Sequence, residues 1–100
     1  MSEFTIDKLA SCRAQIDILD RRLLDLLNER TSIVEHIGRI KQELKLAVYE
    51  PKREDQVYEN ILTHNRGPLP PDAVKRIFER IIDEMRTIQG NNMDTRRDQC

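Results

Sequence analysis

Three features of the sequence predict an all-α chain of one long helix followed by two shorter ones. Apolar residues recur at alternating spacings of three and four from Leu9 to Leu44, and no proline or glycine interrupts them before Gly38. Two later segments open on proline and carry helical apolar stripes. Charged residues make up 35% of the 100 residues and aromatics 4%, with three glycines, a balance that suits solvated helices rather than sandwiches or barrels.

The first helix carries the seam Leu9, Cys12, Ile16, Leu19, Leu23, Leu26, Ile33, Ile37, Ile40 and Leu44. Thr5 or Asp7 can cap its start, and it is expected to run to about Leu46, roughly 60 Å at ~1.5 Å per residue. A helix that long cannot fold back on itself. Because a chain this short buries only a modest core alone, its seam calls for a partner surface. Val48-Tyr49-Glu50-Pro51 breaks the pattern, since Pro51 disfavours the helical region for Glu50 and suits the first turn of a new helix. That second helix places Val57, Ile61 and Leu62 on one face and stops at Asn65-Arg66-Gly67-Pro68. Pro70-Pro71-Asp72 opens the third helix, whose stripe is Val74, Ile77, Phe78, Ile81, Ile82, Met85 and Ile88, with Gly90 as a C-terminal cap. Residues 1–90 therefore form one helical domain, and residues 91–100, polar and without periodicity, are expected to be a disordered tail.

The net charge is −1 with both signs interleaved, which gives no electrostatic footprint for nucleic acid or an anionic membrane. Neither is expected as a partner. Cys12 and Cys100 are too few and too far apart for a disulfide framework or a metal site, so both are expected as reduced thiols. The N-terminal stretch lacks an apolar signal core and no apolar run approaches bilayer length, which predicts a cytoplasmic protein. His36 and His64 lack partners at ligand spacing, and no Ser, Cys or His constellation points to nucleophilic catalysis. Both histidines are read as surface or packing residues, and Tyr49, Tyr58 and Phe78 as packing groups.

The informative departure is Arg30, a guanidinium where the heptad asks for a core residue between Leu26 and Ile33. Burying it without an anion costs several kcal/mol, so it either meets a carboxylate or phosphate or faces water. Lys41 lies three turns later, only about 20° around the helix and roughly 16 Å along it, so the two cations can converge on one small anion. Arg13 is roughly 25 Å from Arg30 on the same helix and could join only from another chain. An antiparallel pair with its two-fold axis near Leu24 would set the partner subunit's Arg13 opposite the stretch between Arg30 and Lys41, giving a dimer with two shared sites. The plainer alternative is that Arg30 snorkels or pairs with a core glutamate while Arg13 and Lys41 are solvated charges.

On the second helix Glu50, Arg53, Glu54 and Val57 share one face, a charged cluster that local ion pairing would also explain. Gln89 extends the stripe of the third helix by one step of four and sets a neutral amide at its end. A frayed terminal residue would look the same.

Taken in order, the segments Arg13-Ala14-Gln15-Ile16-Asp17, Leu26-Leu27-Asn28-Glu29-Arg30, Gly38-Arg39-Ile40-Lys41, Arg53-Glu54 and Ile81-Ile82-Asp83-Glu84 with Gln89 resemble the all-helical class of chorismate mutases. The resemblance covers about Leu9 to Gln89. It implies three-helix chains intertwined as a homodimer with composite sites, in which chorismate, a small dianion, rearranges to prephenate without metal or organic cofactor. By that resemblance Arg30 and the partner subunit's Arg13 grip the two carboxylates, Lys41 and Gln89 donate to the ether oxygen, and Glu50, Arg53 and Glu54 surround the ring hydroxyl. Met85 stands where some members place a small polar residue that contacts a carboxylate, a departure that bears on affinity. Two other readings stay open: an isochorismate pyruvate-lyase, which resembles the same fold, and a non-catalytic helical dimerisation module.

Overall fold

The computed structural model describes residues 3–98, with side chains as far as Asn91, and among these residues it holds three helices and no strand. They are α1 (Ile6–Glu43), α2 (Pro51–His64) and α3 (Pro71–Asp98). The chain divides into two compact units, Met1–Ser32 and Ile33–Cys100, with α1 contributing to both.

Thr5 rather than Asp7 starts α1. Its hydroxyl oxygen accepts the Lys8 backbone N–H at 3.1 Å, satisfying one of the donors that an N-terminal turn leaves unpaired. Asp7 lies in that first turn, where the helix dipole favours an anion.

At its other end α1 stops at Glu43, short of the expected Leu46. The Leu46 N–H donates to the Lys41 carbonyl at 2.7 Å and the Lys45 N–H to the Gln42 carbonyl at 3.2 Å, the paired bonds of a Schellman cap. The cap turns on Lys45, which adopts a φ of 58°. Periodicity misses this end because Leu44 and Leu46 prolong the apolar pattern past the reversal. A side chain in the left-handed region costs about 1 kcal/mol, partly offset by the extra freedom glycine gives the unfolded chain. Lys45→Gly is therefore expected to stabilise the fold by about 0.5 kcal/mol, read as a higher urea midpoint.

The seam of α1 is exposed along its whole length, from Leu9 through Leu26 at 60% and Ile33 at 62% to Leu44. Cys12 lies on the same open face as a free thiol, while Cys100 falls outside the described residues. What α1 buries instead is Val34, Gly38 and Lys41, a second face at i, i+4 and i+7 within the C-terminal unit. Val34 joins Val74, Ile82 and Met85 of α3 as the buried apolar core. Val57 and Ile61 of α2 and Phe78, Ile81 and Ile88 of α3 are half-buried, whereas Leu62 and Ile77 stay exposed at the margins of their stripes.

Pro51 and Pro71 open α2 and α3 as expected. The turn between them is closed by Asn65, whose amide donates to the Leu69 carbonyl at 2.8 Å and whose side-chain oxygen accepts the Gly67 N–H at 3.0 Å. Gly90 does not cap α3, which continues to Asp98. A helical glycine costs only about 1 kcal/mol relative to alanine, too little to end a helix unless the chain also reverses there. Of the tail expected over residues 91–100, side chains beyond Asn91 and residues 99–100 lie outside the described residues. Among the described residues no helix is long and apolar enough to cross a membrane.

Candidate active site

Lys41 is 6% exposed and so must place its ammonium among acceptors. It has three N–H groups and three partners: the Gln89 Oε1 at 3.2 Å, the Val48 carbonyl at 2.9 Å and a Glu50 carboxylate oxygen at 2.6 Å. The Schellman cap explains how Val48 and Glu50 arrive there. It reverses the chain just beyond Lys41, and Pro51 then fixes the end of the returning segment.

Gln89, 8% exposed, faces Lys41 from α3. An ammonium can only donate, so the amide oxygen must point at it, leaving Nε2 as the donor. That nitrogen meets the Val34 carbonyl at 3.4 Å, a long bond that a better acceptor could replace. Gly38 faces Gln89 across the two helices, where a Cβ would lie 3.5 Å from the Gln89 Cγ, an ordinary van der Waals contact. The site thus holds a buried ammonium beside a buried carboxamide, both donors, with one partly exposed carboxylate paired to the ammonium: the Glu50 side chain is 49% exposed against 8% for Lys41.

The carboxylates at the start of α2 do not pair with Arg53 on their own helix. Glu50 goes to Lys41 of α1, and Glu54 accepts from Arg86 of α3 at 2.6 and 2.7 Å from Nη2 and 3.2 Å from Nε. Arg53 is exposed and donates to Gln56 at 3.4 Å. Met85 is a core residue. In the N-terminal unit Arg13 is exposed and Arg30 half-buried, both on α1. His36 and His64 are exposed, the latter against the Asn60 carbonyl at 2.7 Å. No group of three His, Cys, Asp or Glu side chains among the described residues could hold a metal.

Arg86, Tyr49 and the Val48 carbonyl are the parts that sequence reasoning did not find. Arg86 has Asp83 one turn earlier, at 3.5 Å, which by spacing alone accounts for it as a local ion pair. The guanidinium lies 4.9 Å from the centroid of the Tyr49 ring, so that tyrosine serves a cation rather than the core. Near the same carboxylates the Tyr58 phenol is pushed above its ordinary range, first by burial and then by Glu79, Glu54 and Asp83, so it stays a neutral hydroxyl.

A family model described as chorismate mutase type II matches residues 12–90. The bifunctional chorismate mutase/prephenate dehydratase of Aquifex aeolicus (strain VF5) is 36% identical over 81 residues, covering 77% of this chain and 22% of that protein. The chain accordingly spans less than a quarter, 22 to 24%, of the length of the bifunctional relatives it matches first. Among solved structures, chorismate mutase (Form II) from Thermus thermophilus superposes with a TM-score of 0.82 at 31% identity, covering 83% of this chain and 94% of that one. Chorismate mutase from Helicobacter pylori in complex with prephenate gives 0.81 at 31% identity, covering 88% and 96%. With the family model matching most of the chain and the helices superposing at this identity, the protein belongs to the chorismate mutase type II family.

Proposed function

We propose that this chain catalyses the intramolecular Claisen rearrangement of chorismate to prephenate, as a homodimer with sites shared between chains. The observation that carries the reading is the buried Lys41–Gln89 pair, two donors held side by side in a place that excludes water. A family relative of similar fold bound to prephenate supports the choice of substrate. The exposed seam from Leu9 to Leu44 supports the dimer, since a second copy would cover it.

The reaction breaks a C–O bond and forms a C–C bond within one molecule, so it asks for no nucleophile or base. Two tasks remain. Arg30 and the partner subunit's Arg13 hold the two carboxylates as guanidinium forks, which favours the compact conformer in which the reacting carbons meet. Lys41 and Gln89 stabilise the negative charge that grows on the ether oxygen as the C–O bond lengthens. For Lys41 to donate there it must release one of its three acceptors. Glu50, half exposed, is the one that can swing away at least cost. Glu54, and Arg53 from the exposed side of α2, complete the binding face for the ring hydroxyl and a nearby carboxylate, while Met85 supplies an apolar wall. The catalytic domain is residues 1–90, with residues 91–100 outside it, and the enzyme works in the cytoplasm.

The test is a conversion assay on purified protein. Accelerated loss of chorismate with formation of prephenate is the expected result. Chorismate decaying only at its uncatalysed rate overturns it, and release of salicylate and pyruvate from isochorismate instead would assign the lyase reaction.

A further inference from the structure

Arg86 ties α3 to α2 through its ion pair with Glu54 and has no role in the reaction described above. We propose that Arg86 is a positioning residue for Glu54, holding its carboxylate in one orientation and neutralising it so that it can accept a hydrogen bond from the ring hydroxyl of a dianionic substrate. The proposal rests on the reading of Glu54 as a substrate-binding residue.

Three constraints fix the guanidinium. Nη2 and Nε engage both oxygens of Glu54, the Tyr49 ring lies against its face at 4.9 Å, and Nη1 stands 3.5 Å from Asp83. The hydrogen bond from Glu54 raises the Arg86 pKa further above its ordinary value, against a smaller opposing effect of burial. Arg86 therefore remains a cation wherever the enzyme works. A planar fork on one edge of a carboxylate locks both its rotation and its tilt, which a lysine, a point donor on a flexible stem, does not do. Each carboxylate oxygen has two lone pairs, so the edge facing away from the fork keeps the capacity to accept from a hydroxyl.

Charge makes the arrangement useful. A bare carboxylate within a few ångströms of a substrate carrying two carboxylates would repel it, and partial burial strengthens the repulsion. Paired with Arg86, Glu54 presents an acceptor without a net negative charge. The Glu54 side chain is 20% exposed and that of Arg86 36%, so the pair is shielded yet reachable. Arg86 also sits one turn before Gln89 on α3, and its aromatic support, Tyr49, adjoins Glu50. The group that positions the hydroxyl acceptor and one of the two ether-oxygen donors are thus mounted on the same helix.

The experiment measures kcat and KM for chorismate, with urea midpoints, on the full chain and its Glu54→Gln, Arg86→Met, Arg86→Lys and Glu54→Gln/Arg86→Met variants. Arg86→Met is expected to raise KM by about tenfold with a smaller change in kcat, and Arg86→Lys to recover part of that loss. In the Glu54→Gln background, Arg86→Met should change KM by less than about twofold, because the group it positions is already altered. A lower urea midpoint with KM unchanged would make Arg86 a strut between α2 and α3 and overturn the proposal. If Glu54→Gln raises KM but neither Arg86 variant does, only the role of Arg86 falls. Glu54→Gln without effect would remove the reading of Glu54 itself, and the proposal with it.

Discussion

Lys41→Met is expected to lower kcat by about two to three orders of magnitude while KM changes by less than about threefold. The split follows from where the proposed mechanism has the ammonium act. Charge on the ether oxygen is small in the bound substrate and grows only as the C–O bond breaks, so a donor aimed at that oxygen stabilises the transition state more than the ground state. Methionine keeps the length and most of the volume of the lysine stem, which isolates the charge as the variable. Removing the ammonium leaves the Gln89 Oε1 and the Val48 carbonyl without their donor, at about 1–3 kcal/mol for each acceptor that water cannot reach. Against that, a buried charge is replaced by an apolar group, an exchange that is often close to neutral. The variant should therefore stay folded by circular dichroism, with only a modest fall in urea midpoint. A kcat within about tenfold of the parent would remove Lys41 from the role given to it. A collapse of both kcat and the folded signal would make Lys41 a core ion-pair residue first.

The helix starts were legible because they are local. Thr5 satisfies a backbone donor three residues away, and Pro51 and Pro71 are placed by their own ring geometry. The ends of α1 and α3 were not. The Schellman bonds at Lys45 depend on a non-glycine residue adopting positive φ, which no propensity forecasts, and Gly90 carries too weak a penalty to stop a helix that has no reversal to make.

The site follows the same division. Lys41 could be singled out by its register with Arg30 and Gln89 as an amide at the end of an apolar stripe, and both prove to be buried. Periodicity set Lys41 in register with Arg30, and that register lies at the edge of the exposed seam, beside the buried face of Val34 and Gly38. A helix with two apolar faces gives one averaged pattern, and the pattern alone does not say which face the same chain covers. For Arg86 the difficulty was greater. A ready partner one turn away hid the stronger one, Glu54, 32 residues distant on another helix.

Arg30→Leu is expected to lower kcat/KM by about two to three orders of magnitude with the fold intact, because under the role proposed for it a fork on a substrate carboxylate is lost while the apolar seam gains a residue. Leucine at this half-buried position continues the run from Leu26 to Ile33, so stability should hold or rise. That outcome alone does not show where the second carboxylate is held, and chain mixing does. Arg13→Ala and Arg30→Ala chains, each nearly inactive, are unfolded together in equal amounts and refolded. Random pairing makes half the dimers mixed, and each mixed dimer has one site carrying both defects and one carrying neither, so about a quarter of all sites should be intact. Recovery of about a quarter of the parent kcat, at the parent KM, is the expected signature of sites that draw Arg30 from one chain and Arg13 from the other. If both arginines served a site within one chain, every site in the mixture would keep a defect and no activity would return. A helical dimerisation module without catalytic function would also exchange chains, but neither parent nor mixture would convert chorismate.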